Sequence, residues 1–88
     1  MQNVTCKSLD TGKIIKCVME TRTIAFSGVE RQIRTLEPID FRGDYRELSK
    51  DDYFRVQVTK KNGSRCLFDV KLECLSGLGN SVYRMVEI

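Results

Sequence analysis

The sequence contains no histidine and no tryptophan, and its only proline is Pro38. Without histidine, the chain lacks the commonest general base and the commonest metal ligand of proteins, so Ser-His and Cys-His catalytic arrangements are excluded. Its one pair of adjacent carboxylates, Asp51 and Asp52, has no further ligand beside it and is typical of a turn. We therefore expect no enzymatic activity and no small-molecule substrate.

Long apolar runs are also absent, since none exceeds three residues. A membrane span needs about 20 apolar residues, so the sequence predicts no association with a membrane. The first residues, Met1-Gln-Asn-Val-Thr-Cys6, lack the basic and then apolar order of a secretion signal. This absence predicts a cytoplasmic protein whose cysteines stay reduced.

The four cysteines are Cys6, Cys17, Cys66 and Cys74. No Cys-x-x-Cys unit occurs among them, so the spacing does not favour a zinc site. Cys66 and Cys74 fall at the same alternate positions as the apolar residues of their predicted strand, which places them on its buried face. We interpret them as small core residues and expect neither metal nor cofactor.

Composition indicates one globular domain over residues 1–88, with 41% hydrophobic and 31% charged residues and a net charge of +3. Charge is unevenly distributed along the chain. Residues 1–36 and residues 53–88 each contain six basic and three acidic residues, whereas residues 37–52 contain three basic and six acidic residues. The acidic middle segment is typical of a solvated connector between two basic β halves.

A β-hairpin is predicted for residues 53–73, where two alternating apolar runs flank Asn62-Gly63. A two-residue turn there would place charged residues on the core face. A three-residue loop, Lys61-Asn62-Gly63 with Gly63 left-handed, avoids this conflict. It predicts the following opposed pairs: Val58 with Cys66, Val56 with Phe68 and Phe54 with Val70 on the inner face, and Arg55 with Asp69 and Tyr53 with Lys71 on the outer face.

Alternation and turn signals predict further strands over residues 3–9, 13 to about 26, 29 to about 36, and 82–88. The register of the first hairpin stays open. A three-residue loop ending at Gly12 would pair Val4 with Val18, whereas a two-residue loop would pair Cys6 with Cys17.

Between the third strand and the hairpin, Asp44 and Glu47 have the spacing of a capping box, which predicts one short helical turn near residues 45–49. Closing the sheet would remove its edges. We therefore predict a mainly β fold, a small antiparallel barrel or sandwich of about five to six strands. The order of elements is also that of an OB-fold, without any residue motif to support the analogy, and an SH3-like barrel is equally open.

Without catalytic groups, such a domain can act only through its surface, and a protein partner is the first expectation. The connector places two aromatic and two arginine residues close together, and Tyr and Arg dominate interface hot spots. The predicted protein-binding residues are Phe41, Arg42, Asp44, Tyr45 and Arg46. Phe41 also has an alternative role as a plug at one end of the barrel, with Tyr45 capping it.

Nucleic-acid binding is the alternative prediction. Basic residues on the middle strands and at the tip of the hairpin could follow a phosphate backbone. These residues are Arg22, Arg31, Arg34, Lys60, Lys61 and Arg65. Against this alternative, few aromatic side chains are predicted beside the charges, and lysines on hairpin tips also protect sheet edges from aggregation.

These predictions together describe a non-enzymatic interaction module that acts as an accessory protein, an adaptor or an inhibitor. A virus- or phage-encoded protein would fit this description. Self-association is a further expectation, because the last predicted strand, residues 82–88, could leave a sheet edge open.

Overall fold

The computed structural model describes residues 1–39, 41, 45–77 and 80–88 of the chain. It is mainly β, as the sequence predicts, with one 3-10 turn at Tyr45–Glu47 inside the predicted helical segment. The strands are β1 Gln2–Ser8, β2 Ile14–Phe26, β3 Val29–Pro38, β4 Tyr53–Lys60, β5 Arg65–Gly77 and β6 Asn80–Glu87.

The six strands form a closed barrel in the order β1-β2-β3-β6-β5-β4, with β4 returning to β1. All neighbours are antiparallel, so two three-stranded meanders, β1–β3 and β4–β6, face each other across the core. The barrel alternative of the prediction is confirmed and the sandwich is excluded. Its six strands differ from the five of an OB-fold.

The β4–β5 hairpin has the predicted register on both faces. Gly63 has a φ of +87°, and its N–H donates to the carbonyl of Lys60, so Lys61-Asn62-Gly63 is the loop. On the outer face, the guanidinium of Arg55 lies 3.1 Å from the carboxylate of Asp69. The match between apolar alternation and loop length was therefore sufficient to define this element.

The first hairpin has neither of the two predicted registers, because its loop is four residues long. Val4 lies opposite Cys17, and the closing pair is Ser8 and Lys13. Within the loop, the N–H of Gly12 donates to the carbonyl of Ser8, and Gly12 has a φ of +81°. The hydroxyl of Ser8 also accepts weak hydrogen bonds from loop amides, which stabilises the longer turn.

The core consists of the inward-facing residues of all six strands together with one residue of the connector. Cys6 and Cys17 are fully buried there. The prediction that Cys66 and Cys74 lie on the buried face is only partly correct, since Cys66 is half-buried and Cys74 is exposed. Cys74 lies beyond Lys71, the last β5 residue paired with β4, so it projects past the barrel wall. The buried core residues are Val4, Cys6, Ile15, Cys17, Met19, Leu36, Leu48, Phe54, Val56, Val58, Phe68, Val70, Leu72 and Met85.

Strands β2 and β3 continue past the barrel as a two-stranded ribbon, residues 21–34, which we call the arm. The last β1–β2 pair is Gln2 with Met19, and β6 pairs with β3 only at Thr35 and Leu36. The arm ends in the two-residue turn Ser27-Gly28, and both residues have positive φ, as a type I′ hairpin turn requires. Every side chain from residue 21 to residue 32 is exposed.

We predict that Gly63→Val lowers the free energy of unfolding by about 1–2 kcal/mol, because a β-branched residue tolerates positive φ poorly. A Cβ atom at this position would meet no neighbour within 4 Å, so backbone strain alone is tested. Denaturant unfolding measures the change. The matched control is Gly63→Asn, which should lose less, and equal losses in the two variants would contradict the assignment of strain.

Candidate protein-binding surfaces

Residues 45–49 of the connector form a lid over one end of the barrel. Leu48 is 1% exposed and joins the core, and Ser49 beside it is fully buried. Three hydroxyl groups attach this segment to the β1–β2 loop. Ser8 donates to the carbonyl of Leu48, Thr11 donates to that of Glu47 at 2.6 Å, and Ser49 donates to the carboxylate of Asp10 at 3.0 Å. Residues 47–49 of the connector are therefore part of the folded body.

The two aromatic residues predicted for protein binding both pack against the core. Phe41 and Tyr45 are half-buried, and the ring of Tyr45 lies 5.8 Å from that of Tyr83, tilted by 48°. The guanidinium of Arg46 lies 6.0 Å from the centre of the Tyr45 ring. The contacts of Phe41 and Tyr45 agree with the alternative structural role given to them above.

Two of the predicted protein-binding residues, Arg42 and Asp44, lie outside the described residues. The same is true of the predicted capping box, since it depends on Asp44. The structure thus brings Tyr45 and Arg46 together on the lid.

Leu48, the residue that closes this end of the barrel, was not identified from the sequence. A signal was present, because Leu48 is the only apolar residue between Tyr45 and Tyr53. A short helical turn above a barrel needs at least one apolar side chain to bury, and no other residue of that stretch can provide it.

The six residues predicted for nucleic-acid binding all lie at the other end of the barrel, away from the lid. Arg22, Arg31 and Arg34 are on the arm or at its base, while Lys60, Lys61 and Arg65 flank the β4–β5 loop. An open groove of about 520 Å³ lies between this loop and the first residues of β1. Its lining residues are Met1, Gln2, Asn3, Lys60, Lys61 and Asn62.

Arg34 is held in the barrel wall by Glu87. Its Nη2 and Nε atoms donate to the two carboxylate oxygens at 2.6 and 3.1 Å, and its backbone N–H donates to Oε1 at 3.0 Å. The guanidinium also stacks on Phe68, 3.9 Å from the ring centre. The hydrogen bonds from Arg34 lower the pKa of Glu87 and raise that of Arg34. These contacts commit Arg34 to closing the sheet between β3 and β6.

The remaining predicted cations differ in their surroundings. Arg22 forms a short-range ion pair with Glu20 at 3.3 Å. Within the described ranges, Arg31, Lys60, Lys61 and Arg65 form no ion pair. Positive charge at this end of the barrel therefore comes mainly from the β4–β5 loop and from Arg31.

The arm has an apolar outer face that the sequence analysis did not identify. Ile24 is 42% exposed, Phe26 is 80% exposed and Val29 is 67% exposed. Phe26 and Val29 are directly opposite each other next to the turn, and Ile24 follows on the same face. The other face of the arm is polar or small, with Thr21, Thr23, Ala25, Glu30 and Gln32. The available signal was the pair of apolar residues flanking Ser27-Gly28.

Cys17 lies next to Cys6 inside the barrel. A hydrogen bond with Cys6, followed by burial, raises the pKa of the Cys17 thiol far above its ordinary value. This thiol therefore stays protonated and belongs to the core. Among the residues that the structure describes, no group of three or more Cys, Asp or Glu side chains comes together as a metal site would require.

Within the described ranges, no helix has both the length and the apolar character needed to cross a bilayer. No protein-family model, curated protein or solved structure matches this chain.

Glu87→Gln should lower the free energy of unfolding at neutral pH by about 1 kcal/mol, because the charged bond to Arg34 is lost at a partly exposed site. The pKa of Glu87 in the folded state lies below its ordinary value of 4.5. The stabilisation by the ionised carboxylate is thus complete above the ordinary pKa of 4.5. It is lost as pH falls through the lower pKa that Glu87 has in the folded state. Denaturant unfolding of both proteins over a series of pH values measures this.

The matched control is Glu30→Gln, an exposed carboxylate on the arm that should change the free energy of unfolding by less than about 0.5 kcal/mol. A difference in the free energy of unfolding between wild type and Glu87→Gln that stayed constant into strong acid would contradict the assigned role of the carboxylate.

Proposed function

We propose that this chain is a non-enzymatic binding module that attaches to a larger protein through the outer face of its arm. The single observation that supports this is the exposure of Ile24, Phe26 and Val29 together on a ribbon that covers none of the barrel. A two-stranded ribbon that buries neither face contributes little stability by itself. Its apolar face is best explained by a partner that covers it.

The energetic argument rests on Phe26. Burying a phenylalanine side chain contributes roughly 1.5–3 kcal/mol. Phe26 is 80% exposed, so nearly all of this contribution is still available to an interface. Val29 and Ile24 would surround it, as less critical contacts surround the central residue of a hot spot.

The charges on the arm define the chemistry of the partner. Glu20 largely neutralises Arg22, and Arg34 is paired with Glu87. Arg31 lies opposite Ile24 on the apolar face and forms no ion pair within the described part of the chain. The partner surface that fits is an apolar patch with a carboxylate at its margin, within reach of Arg31.

The connector is the second candidate for the same function. Arg42 and Asp44 lie outside the described residues, whereas Phe41 and Tyr45 already have partners in the core. A residue that seals the barrel can still touch a partner with its exposed part, so the two surfaces have to be compared directly.

We expect Phe26→Ser to leave folding intact and to abolish capture of the partner, because the side chain is 80% exposed in the free chain and lies outside the core. Tagged chain immobilised on resin is incubated with an extract of the source organism, and quantitative mass spectrometry compares the bound proteins. The matched control is Leu67→Ser, on the barrel wall and 58% exposed, which should retain capture.

The double variant Tyr45→Ala, Arg46→Ala tests the connector in the same experiment, and its thermal unfolding is measured first because Tyr45 packs on the core. Loss of capture in a folded connector variant, with capture retained in Phe26→Ser, would contradict the assignment to the arm and favour the connector.

Nucleic-acid binding is the second candidate function. The observation in its favour is that all six predicted basic residues share one end of the barrel, where Lys60 and Lys61 border the groove beside β1. A second groove of about 310 Å³ continues along the outer face of β1 and adds Lys16. Two of the six cations, Arg22 and Arg34, are already paired, which weakens this candidate.

Titration of labelled single-stranded DNA and RNA at two salt concentrations tests this candidate. Phosphate binding predicts an affinity that falls with salt and a salt slope that decreases by about one for each lysine removed in Lys60→Gln and Lys61→Gln. Affinity that is absent, or that does not respond to salt, excludes this function.

A further inference from the structure

The arm has two backbone edges, and their polar groups can be assigned from the register. Residues of an antiparallel pair alternate between those bonded to each other and those whose N–H and C=O groups point outward. Phe26 and Val29 close the two-residue turn and are bonded to each other, so Ala25, Thr23 and Thr21 point outward from β2. On β3 the outward residues are Glu30, Gln32 and Arg34. The hydrogen bond from the N–H of Arg34 to Glu87 agrees with this assignment.

The two edges are unequally protected. On β3, the N–H of Arg34 already donates a hydrogen bond to the carboxylate of Glu87. Glu30, on the same edge, carries a charge, and charged residues on an edge strand hinder the addition of another strand. On β2, the outward residues Thr21, Thr23 and Ala25 are small and uncharged. No strand covers them, because β1 pairs with β2 only as far as Met19. The β2 edge of the arm is therefore open to another strand.

We propose that this edge pairs with the same edge of a second copy of the chain. Antiparallel pairing about a two-fold axis at Ile24 places Thr23 opposite Ala25 of the second copy. This register uses two outward residues of each chain and leaves Gln2, opposite Met19, in its place on the same edge of β2. It keeps inner and outer faces aligned because the residue numbers of opposed positions have an even sum.

Charge agrees with this register. Arg22 lies opposite Phe26 of the second copy, and Ile24 lies opposite Ile24, so no like charges face each other across the axis. A shift by one residue towards the barrel within each chain would place Ser27 of the second copy opposite Met19, where Gln2 already lies. The outcome is a four-stranded sheet, β3-β2-β2-β3, with the apolar residues of both arms on one face.

This dimer stands independently of the proposed function, since its contacts are backbone groups and the outer face stays uncovered. Loss of partner capture in Phe26→Ser leaves the edge intact, and loss of the dimer leaves Phe26 exposed. The failure of one proposal is therefore distinguishable from the failure of the other.

Sedimentation equilibrium over a concentration series tests the dimer. Wild type should dimerise, and Thr23→Pro should raise the dissociation constant of the dimer at least about tenfold. Proline at Thr23 removes an outward N–H and no bond inside the arm. The matched control is Gln32→Pro, directly across the ribbon, which removes an equivalent N–H from the other edge and should leave the dimer unchanged. A monomeric wild type, or equal effects of the two prolines, would overturn the proposal.

A cross-link decides the matter if Thr23→Pro does not fold. In the proposed register, residue 24 faces its own copy as a pair without mutual hydrogen bonds, at a Cα separation of about 4.5 Å, within the range that a disulfide spans. Ile24→Cys in a Cys74→Ser background should therefore form a disulfide-linked dimer when diamide oxidises the two thiols. Gln32→Cys in the same background should not, and cross-linking of both or of neither on a non-reducing gel would overturn the proposal.

Discussion

The β3–β6 seam is the constraint on which the barrel depends. Every other neighbouring pair of strands shares five or more residue pairs, whereas β3 and β6 share two, Thr35 with Val86 and Leu36 with Met85. The side chain of Glu87 extends this short ladder. Its carboxylate accepts a hydrogen bond from the backbone N–H of Arg34, which a carbonyl of a neighbouring strand would otherwise accept. The guanidinium of Arg34 then covers Phe68 and seals the core. Without the β3–β6 seam, the two meanders would meet only between β1 and β4.

The two ends of the barrel differ in how they are closed. At one end, hydroxyl groups of the β1–β2 loop hold the connector, and Leu48 fills the opening. At the other end the arm, the β4–β5 loop and the groove beside β1 are all exposed. Residues 47–49 of the acidic segment thus help to close one end, and the exposed arm and groove lie at the opposite, more basic end.

The sequence predicted those features that are determined locally. The β4–β5 register followed from alternation and one glycine, because strands joined by a tight loop have few ways to bury the same face. The first hairpin was mispredicted because its loop length depends on contacts with the connector, about 40 residues away. The burial of Leu48 and the Arg34–Glu87 clamp were not predicted for the same reason, since both depend on contacts that only the closed barrel creates. The exposure of the apolar face of the arm was not predicted, because alternation does not reveal where one strand extends beyond its neighbour. The exposure of Cys74 was missed for the same reason.

The arm is separate from the residues that stabilise the barrel. None of its side chains from residue 21 to residue 32 is buried, and the core contains no residue of that stretch. Substitutions there neither open cavities in the barrel nor disturb the clamp, so they need no compensating change elsewhere. The sequence of this ribbon can therefore vary independently of the contacts that close the barrel.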